Sequence, residues 1–286
     1  MIDKQRCILT LHAHPDDESS KGAATMARYS DEGCRVVLVC ATGGEEGDVI
    51  NPRMDRPGIK ERMTEIRKAE LETACDILGV ARVYMLGYRD SGMPDSDANN
   101  RPEAFCNADP VEATALIVEI IRAERPEIVI GYDDSPGYPH PDHLRVNELG
   151  DLAFHQAGDP EKHPGAGSPW RPSKLYHFAS FTMRRISALH EAALAEGMVS
   201  PFAERMEEWT KSGFTEPNIT TQINVHDYIE LRNKALLAHA TQIDPDGFWF
   251  AIPDELQKKV YPWEDYTLVD PLPNPDRIED DLFGGL

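Results

Sequence analysis

The 286 residues amount to 32.0 kDa, of which 41% are hydrophobic and 28% charged. This balance is typical of a globular chain and argues against a largely disordered, collagen-like or coiled-coil protein. Acidic residues outnumber basic ones by 50 to 29, a formal charge of −21, so neither nucleic acids nor anionic membranes are expected partners. No apolar run reaches about 18 residues and no signal-peptide core is present, so we expect a cytoplasmic protein.

Short apolar segments alternate with helical patterns through the first two thirds of the chain. Strands are predicted at 7–13, 35–42, 82–88, 127–132 and 174–180, with helices over 18–32, 60–78 and 110–123 and from about 142. Strand–helix alternation of this kind indicates parallel strands joined by right-handed crossovers. We therefore predict an α/β fold, a Rossmann-like open parallel sheet with helices on both faces.

The last third is less regular. Helical stretches are predicted near 184–211 and 226–241, followed by a tail rich in proline and aspartate. We expect one domain over 1–286, with a core of about 1–180 and an α-rich C-terminal elaboration of about 181–286.

Two polar motifs follow predicted strands. HPDDE occupies 14–18 after the first strand, and YPHPDH occupies 138–143 after the fourth. In open α/β sheets, ligands bind beyond the carboxyl ends of the strands, where the strand order reverses. The first and fourth strands can be neighbours there, so we expect the two motifs to meet.

These motifs contain the residues of a hydrolytic metal site. His14 and Asp17 are three residues apart at a strand-to-helix junction, and one helical turn places such residues on the same side. His143 supplies a third ligand from the other motif. Two histidines, one carboxylate and an open position are typical of hydrolytic zinc. Asp16 is left beside the metal, where a carboxylate can act as general base.

Further residues of the second motif can assist the reaction. His140 can stabilise an oxyanion or protonate a leaving amine, and Tyr138 can donate to the same oxygen. His12, on the first strand, could support a ligand from behind. The glycine-rich segment 43–48 carries three acids, so it favours a flexible wall of the site over a nucleotide cradle.

Other interpretations remain open at this point. An acidic pair before a helix is often only a cap and a solvated first turn. Two histidines and a carboxylate also form the facial triad of mononuclear iron oxygenases, although Asp16 beside the metal argues against that chemistry. A sugar-binding module without catalysis is a third class, which the intact ligands, base and proton donor disfavour.

AHPDDE at 13–18 and HPDH at 140–143 resemble the two signatures of the LmbE-like, or PIG-L-like, zinc-dependent N-deacetylase family. Its members hydrolyse an amide on a glucosamine nitrogen. The resemblance implies that His14, Asp17 and His143 are zinc ligands. It also implies that Asp16 is the general base and that His140 and Tyr138 assist at the tetrahedral intermediate. Fe²⁺ suits the same donors as Zn²⁺.

Within this family the chain is most similar to the actinobacterial mycothiol enzymes. ESSKGAAT at 18–25, GYPHPDH at 137–143 and HATQIDPDGFWF at 239–250 resemble the S-conjugate amidase branch, as does the ending DDLFGGL. This implies hydrolysis of the cysteinyl–glucosamine amide of mycothiol S-conjugates to a mercapturate and glucosaminyl-inositol, in thiol-dependent detoxification. The alternative is the N-acetylglucosaminyl-inositol deacetylase of mycothiol biosynthesis. One departure is Asp134–Gly137, where Pro136 replaces part of an expected acidic-Asn-Gly-Gly run.

The resemblance also implies a small-molecule substrate, a glucosaminyl-inositol thiol conjugate, and three residues that contact it. These are Lys21, Arg67 and Asp90. Without the resemblance, Lys21 would be an exposed helix charge, Arg67 part of a solvated helix face and Asp90 a turn residue. A homo-oligomer is compatible with the sequence.

Overall fold

The computed structural model describes residues 5–134, 138–274 and 277–286, and these residues form a sheet of seven strands. The strand order across the sheet is β3-β2-β1-β4-β5-β7-β6. The strands are β1 Cys7–His12, β2 Arg35–Thr42, β3 Arg82–Tyr88, β4 Ile128–Gly131, β5 Lys174–Phe178, β6 Thr221–Asn224 and β7 Trp263–Asp270.

The first five strands are parallel, as the strand–helix alternation predicts. Strand β1 pairs with β2 on one side and with β4 on the other, so the strand order reverses beside β1. Strands β1, β4 and β5 are buried along their whole length, as expected of parallel strands covered on both faces. The predicted Rossmann-like α/β fold is confirmed.

Helices cover both faces of this sheet. Helices α2, α3 and α8 pack together, and α4 packs on α5; right-handed crossovers place the two groups on opposite faces. The helices are α1 Asp17–Ser20, α2 Ala23–Asp31, α3 Met63–Leu78, α4 Pro110–Glu124, α5 Pro141–Gln156, α6 Met183–Ala195, α7 Ala203–Ser212, α8 Ile229–Ala238 and α9 Asp254–Val260.

The helix predicted over 18–32 is in fact two helices, α1 and α2, separated at Lys21–Gly22. Gly22 has a φ of 77°, a left-handed conformation that glycine adopts without strain. A Cβ atom at this position would lie 2.5 Å from Cε1 of Phe178 on β5. The chain turns here because it passes directly against β5, which the local helical pattern does not reveal.

The last third contributes two strands that were not predicted, together with the expected helices. Strand β7 is antiparallel to β5, and β6 is antiparallel to β7. The sequence of β7 does not predict its burial, because two of its buried residues, Glu264 and Asp265, are acidic. Glu264 accepts hydrogen bonds from the backbone N–H groups of Ala24 (3.3 Å) and Thr25 (2.8 Å). Glu264 therefore caps α2, because Gly22, the residue before this helix, has no side chain that could accept these hydrogen bonds.

Among the residues that the structure describes, two hydrophobic clusters stabilise the fold. The larger one spans the sheet and its helices and includes Leu282 and Phe283 near the C-terminus. The smaller one lies between α6, α7 and α9, and we call it the C-terminal cluster. Its buried members are Ile186, Leu189, Ala193, Phe202, Ile252 and Tyr261. Within the described residues, no helix has the length and apolar character needed to cross a bilayer.

Replacing the capping carboxylate tests the contribution of β7 to the fold. We expect Glu264→Ala to lower the free energy of unfolding by about 2 kcal/mol, because two N–H groups in the first turn of α2 lose their buried acceptor. Urea denaturation measures the change. Glu191→Ala, at an exposed position of α6, is the control and should stay within about 0.5 kcal/mol of the wild type. Equal stability of both variants would contradict the capping role.

Candidate active site and metal centre

The pairing of β1 with β4 brings the two polar motifs together. Asp17 Oδ2 lies 3.4 Å from His14 Nδ1 and 3.3 Å from His143 Nε2. One ligand atom from each of the three residues lies within 4.8 Å of the others. The structure therefore places the three predicted metal ligands side by side, and we call them the donor triad.

The orientation of His14 depends on Asp142, a residue of the HPDH motif to which the sequence analysis assigned no role. Asp142 Oδ2 lies 3.1 Å from His14 Nε2. Asp142 also accepts hydrogen bonds from the backbone N–H and the hydroxyl of Ser91. Because the Nε2 atom of His14 contacts the carboxylate of Asp142, the Nδ1 atom faces Asp17. This arrangement is typical of histidines that ligate metals.

The charges around the triad suit a cation. Burial lowers the pKa of His14, but hydrogen bonds to Asp142, Asp17 and Asp90 outweigh it and raise that pKa well above its ordinary value. Burial raises the pKa of Asp17, but His143 and Lys21 outweigh it and hold that pKa well below its usual range. The buried carboxylates of Asp17, Asp90 and Asp142 are therefore stabilised by positive charge close to them. Two imidazoles, one carboxylate and a cavity beside them are donors that fit a divalent cation such as zinc.

A second buried group of possible ligands shares His14 with the donor triad. It consists of His14, Asp90, His140 and Asp142, again with one ligand atom from each within 4.8 Å. Here His14 Nε2 lies 3.6 Å from Asp90 Oδ1. Since the same Nε2 contacts Asp142, this group fits the role of orienting His14.

Asp16, the predicted base, is held in a strained conformation. Its φ of 113° lies in the left-handed region, which costs a residue other than glycine about 1–3 kcal/mol. Its N–H donates to Glu18 Oε2 (3.0 Å), and its Oδ2 accepts from Arg67 Nη2 (2.9 Å). Burial raises the pKa of Asp16 above its usual value, with Arg67 opposing. Its side chain is 27% exposed and lines the cavity.

A buried pair supports Asp16 from behind. Glu18 Oε1 lies 2.6 Å from His239 Nε2, and both side chains are 0% exposed. His239 follows α8, far along the chain from the motif, so its sequence context gives no signal of this contact. In the structure, His239 contacts the carboxylate of Glu18, and that carboxylate accepts the backbone N–H of Asp16.

The three residues with an implied substrate role all line the cavity. Arg67 is 3% exposed and so is not part of a solvated helix face; it donates to the carbonyl oxygens of Gly44 and Pro15 as well as to Asp16. Lys21 Nζ lies 2.6 Å from Asp17 Oδ1. Asp90 accepts from the N–H of Gly92 at 2.8 Å.

His140 and Tyr138 differ in how closely they approach the triad. His140 Nδ1 accepts the N–H of Asp142 (3.2 Å) and caps α5, so Nε2 carries the proton of the neutral ring. Burial, together with the charge of His14, lowers the pKa of His140 to about 4. Tyr138 is 53% exposed at the edge of the cavity, and its hydroxyl lies 3.9 Å from Met93 Sδ.

Tyr132, at the end of β4, was also missed. Its ring packs against His143 with centroids 4.6 Å apart, and its hydroxyl lies 3.3 Å from His12 Nδ1. His12 thus reaches the site through Tyr132. Glu46 and Asp48 of the glycine-rich loop line the cavity. Residues 135–137, which include the unexpected Pro136, lie outside the described residues.

Removing a triad ligand tests the metal centre directly. We expect the wild-type protein to bind one zinc ion per chain in equilibrium dialysis followed by elemental analysis. His143→Ala and Asp17→Asn should bind none, because two remaining donors hold the ion weakly. His155→Ala removes a histidine whose side chain is 54% exposed and is the matched control. Full zinc occupancy in His143→Ala would rule out the triad.

The orienting role of Asp142 has its own test. Asp142→Asn should weaken zinc binding by about 10- to 100-fold, the usual effect of losing the carboxylate behind a ligating histidine. The matched control is Asp151→Asn, since Asp151 Oδ1 contacts His177 Nε2 at 2.9 Å in a pair outside the cavity. Competition with a chromogenic chelator gives both affinities. An equal effect of the two substitutions would exclude a specific role.

Comparison with known proteins identifies the family of the chain. The family model for PIG-L, GlcNAc-PI de-N-acetylase, matches residues 9–154. The mycothiol S-conjugate amidase of Streptomyces coelicolor is 43% identical, covering 100% of this chain and 99% of its own. The 1D-myo-inositol 2-acetamido-2-deoxy-alpha-D-glucopyranoside deacetylase of Geodermatophilus obscurus is 38% identical, covering 98% of each. The N,N'-diacetylchitobiose deacetylase from Pyrococcus horikoshii shares the fold, with a TM-score of 0.64 at 20% identity, covering 93% of this chain and 84% of its own. The chain belongs to the PIG-L, or LmbE-like, family of hydrolytic deacetylases and amidases.

Proposed function

We propose that the protein is a zinc-dependent amidase that hydrolyses the cysteinyl–glucosamine amide of mycothiol S-conjugates. The observation that carries this proposal is the position of Asp16, a strained and partly exposed carboxylate beside the donor triad in one cavity of about 680 Å³. Ligand cavities are commonly about 300–1,000 Å³, so a substrate larger than an acetylated monosaccharide can enter. The hydrolytic family also favours this reaction over the oxygenase alternative.

His14, Asp17 and His143 would hold the zinc ion. When bound, zinc supplies Lewis-acid activation of water and of the amide carbonyl. Tyr132 and Asp142 keep the ligands in place, since the tyrosine ring packs on His143 and the carboxylate contacts His14 Nε2.

Asp16 transfers the proton. Its carboxylate takes a proton from the attacking water as the carbon–oxygen bond forms, and the same oxygen can return it to the amine as the carbon–nitrogen bond breaks. Burial raises the pKa of Asp16, which makes it a stronger base than a solvated aspartate. Arg67 fixes one oxygen of the carboxylate at 2.9 Å, which keeps the group oriented.

His140 faces the same region as a neutral hydrogen-bond donor. Since Nδ1 caps α5, the N–H at Nε2 is available to the carbonyl oxygen as negative charge develops there. Because the pKa of His140 is lowered to about 4, the neutral donor role is favoured over the role of a protonated imidazolium that gives a proton to the amine. Tyr138 at the cavity edge is a second donor to the same oxygen after a rotation of its side chain.

The sugar end of the substrate would lie beside Asp90, and Lys21 would contact the substrate next to the triad. Asp90 is a buried carboxylate that can accept hydrogen bonds from hydroxyl groups, and Lys21 is a donor at the edge of the triad. Arg67 shapes this region indirectly, because its guanidinium is already engaged with Gly44, Pro15 and Asp16.

The alternative substrate is N-acetylglucosaminyl-inositol, which the same groups could deacetylate. It is supported by 38% identity to the Geodermatophilus obscurus deacetylase over nearly the whole chain. The higher identity to the amidase, 43%, favours the amidase.

An assay on zinc-loaded protein tests the reaction and its base together. We expect wild-type protein to convert the mycothiol–monobromobimane adduct to the bimane mercapturate, followed by liquid chromatography with fluorescence detection. Asp16→Ala should lower kcat by about 10²- to 10⁴-fold, because the proton acceptor is lost. Asp76→Ala, at an exposed position of α3, is the matched control and should retain wild-type activity.

N-acetylglucosaminyl-inositol is assayed in parallel, with kcat/KM expected to be lower than for the adduct. A higher value for the acetyl sugar would favour the deacetylase instead. Full turnover by zinc-loaded Asp16→Ala would show that another group is the base.

A further inference from the structure

The cavity that contains the donor triad has two chemically different halves. One half is polar and is lined by Glu46, Asp48, Arg67 and Asp90. The other half is lined by the rings of Phe181, Trp209, Phe214 and Trp249, which we call the aromatic wall. A substrate bound across the triad would therefore meet charged groups at one end and aromatic rings at the other.

The order of strands in the sheet places Phe181 on the opposite side of the triad from Glu46, Asp48 and Asp90. The polar residues come from the loops after β2 and β3 and from α3, whereas Phe181 follows β5 and Trp209 lies on α7. The triad comes from the ends of β1 and β4, which lie between β2 and β5 in the sheet. The scissile amide would thus lie in the middle, with one part of the substrate on each side.

The aromatic wall is held firmly from behind. Phe181 and Trp209 pack against the C-terminal cluster of α6, α7 and α9. The rings of Trp209 and Phe214 stack in parallel with centroids 4.2 Å apart, and Phe181 lies 6.0 Å from Trp249. These rings remain only partly buried. A partly exposed aromatic surface facing a cavity is suited to bind a flat apolar group.

A cation lies at the edge of this wall. The guanidinium carbon of Arg205 is 5.1 Å from the ring centroid of Phe181 and 6.0 Å from that of Trp209. This contact covers one face of each ring, and the guanidinium adds hydrogen-bond donors to the lining of the cavity. The wall therefore suits a planar group that is largely apolar but carries polar atoms at its rim.

We propose that the aromatic wall binds the S-substituent of the thiol conjugate and selects aromatic substituents. The inference rests on the proposed amidase function, in which the glucosaminyl-inositol end occupies the polar half. The cysteinyl group and its sulfur substituent then extend from the amide carbonyl towards Phe181 and Trp209. An acetyl group ends at one methyl and would leave the wall unoccupied.

Two conjugates that differ only at sulfur test this assignment. Wild-type zinc-loaded protein is assayed on the mycothiol–bimane adduct and on S-methyl mycothiol, made with iodomethane. We expect KM for the bimane adduct to be lower by about tenfold at similar kcat, because ring stacking acts on the ground state and the transition state alike.

Substitutions in the aromatic wall should remove only this difference in KM between the two conjugates. Trp209→Ala should raise KM for the bimane adduct about tenfold and leave S-methyl mycothiol unchanged, and Phe214→Ala provides a second variant outside the C-terminal cluster. Trp170→Ala is the matched control, since this partly buried tryptophan contacts the Pro126 carbonyl far from the wall. Unchanged turnover of S-methyl mycothiol shows that each variant is folded.

The outcomes separate this inference from the function on which it rests. Hydrolysis of both conjugates with equal KM overturns the S-substituent site and leaves the amidase intact. Equal loss of activity on both conjugates in Trp209→Ala and Phe214→Ala shows a structural role for the wall and also overturns it. Hydrolysis of neither conjugate by zinc-loaded wild type defeats the proposed function itself.

Discussion

The parallel pairing of β1 with β4 is the constraint on which the rest of the structure depends. It joins the two halves of the sheet at the point where the strand order reverses, and it places two loops far apart in sequence against each other. Each loop alone offers too few donors to hold a metal ion. Together they form a buried group of imidazoles and carboxylates whose donor atoms and negative charge favour a bound cation.

Asp16, the proposed base, is held in an unfavourable backbone conformation. A left-handed aspartate is unfavourable alone, so the surrounding structure must determine it fully. Glu18 fixes its N–H, Arg67 fixes its carboxylate, and His239 fixes Glu18 in turn. His239 follows α8 in the last third of the chain. The C-terminal region therefore helps to build the site as well as to cover the sheet.

The proposed hydrolytic groups and the proposed S-substituent site come from different parts of the chain. The family match covers residues 9–154, which contain the donor triad, Asp16 and His140. The aromatic half of the cavity comes from residues beyond 180, supported by its own small hydrophobic cluster. Such a division lets the region around the wall vary while the hydrolytic groups stay on the rigid ends of β1 and β4.

The sequence by itself determined the five parallel strands, the meeting of the two motifs and the identity of the residues that form the triad. These follow from local periodicity and from residues placed directly after strands, which short-range rules describe well. Only the tertiary structure decided the break at Gly22, strands β6 and β7, and the roles of Asp142, Tyr132 and His239. Each of these depends on a partner distant in sequence, such as Phe178 against Gly22 or Glu18 against His239. Burial and hydrogen bonding between such partners leave no periodic signal along the chain.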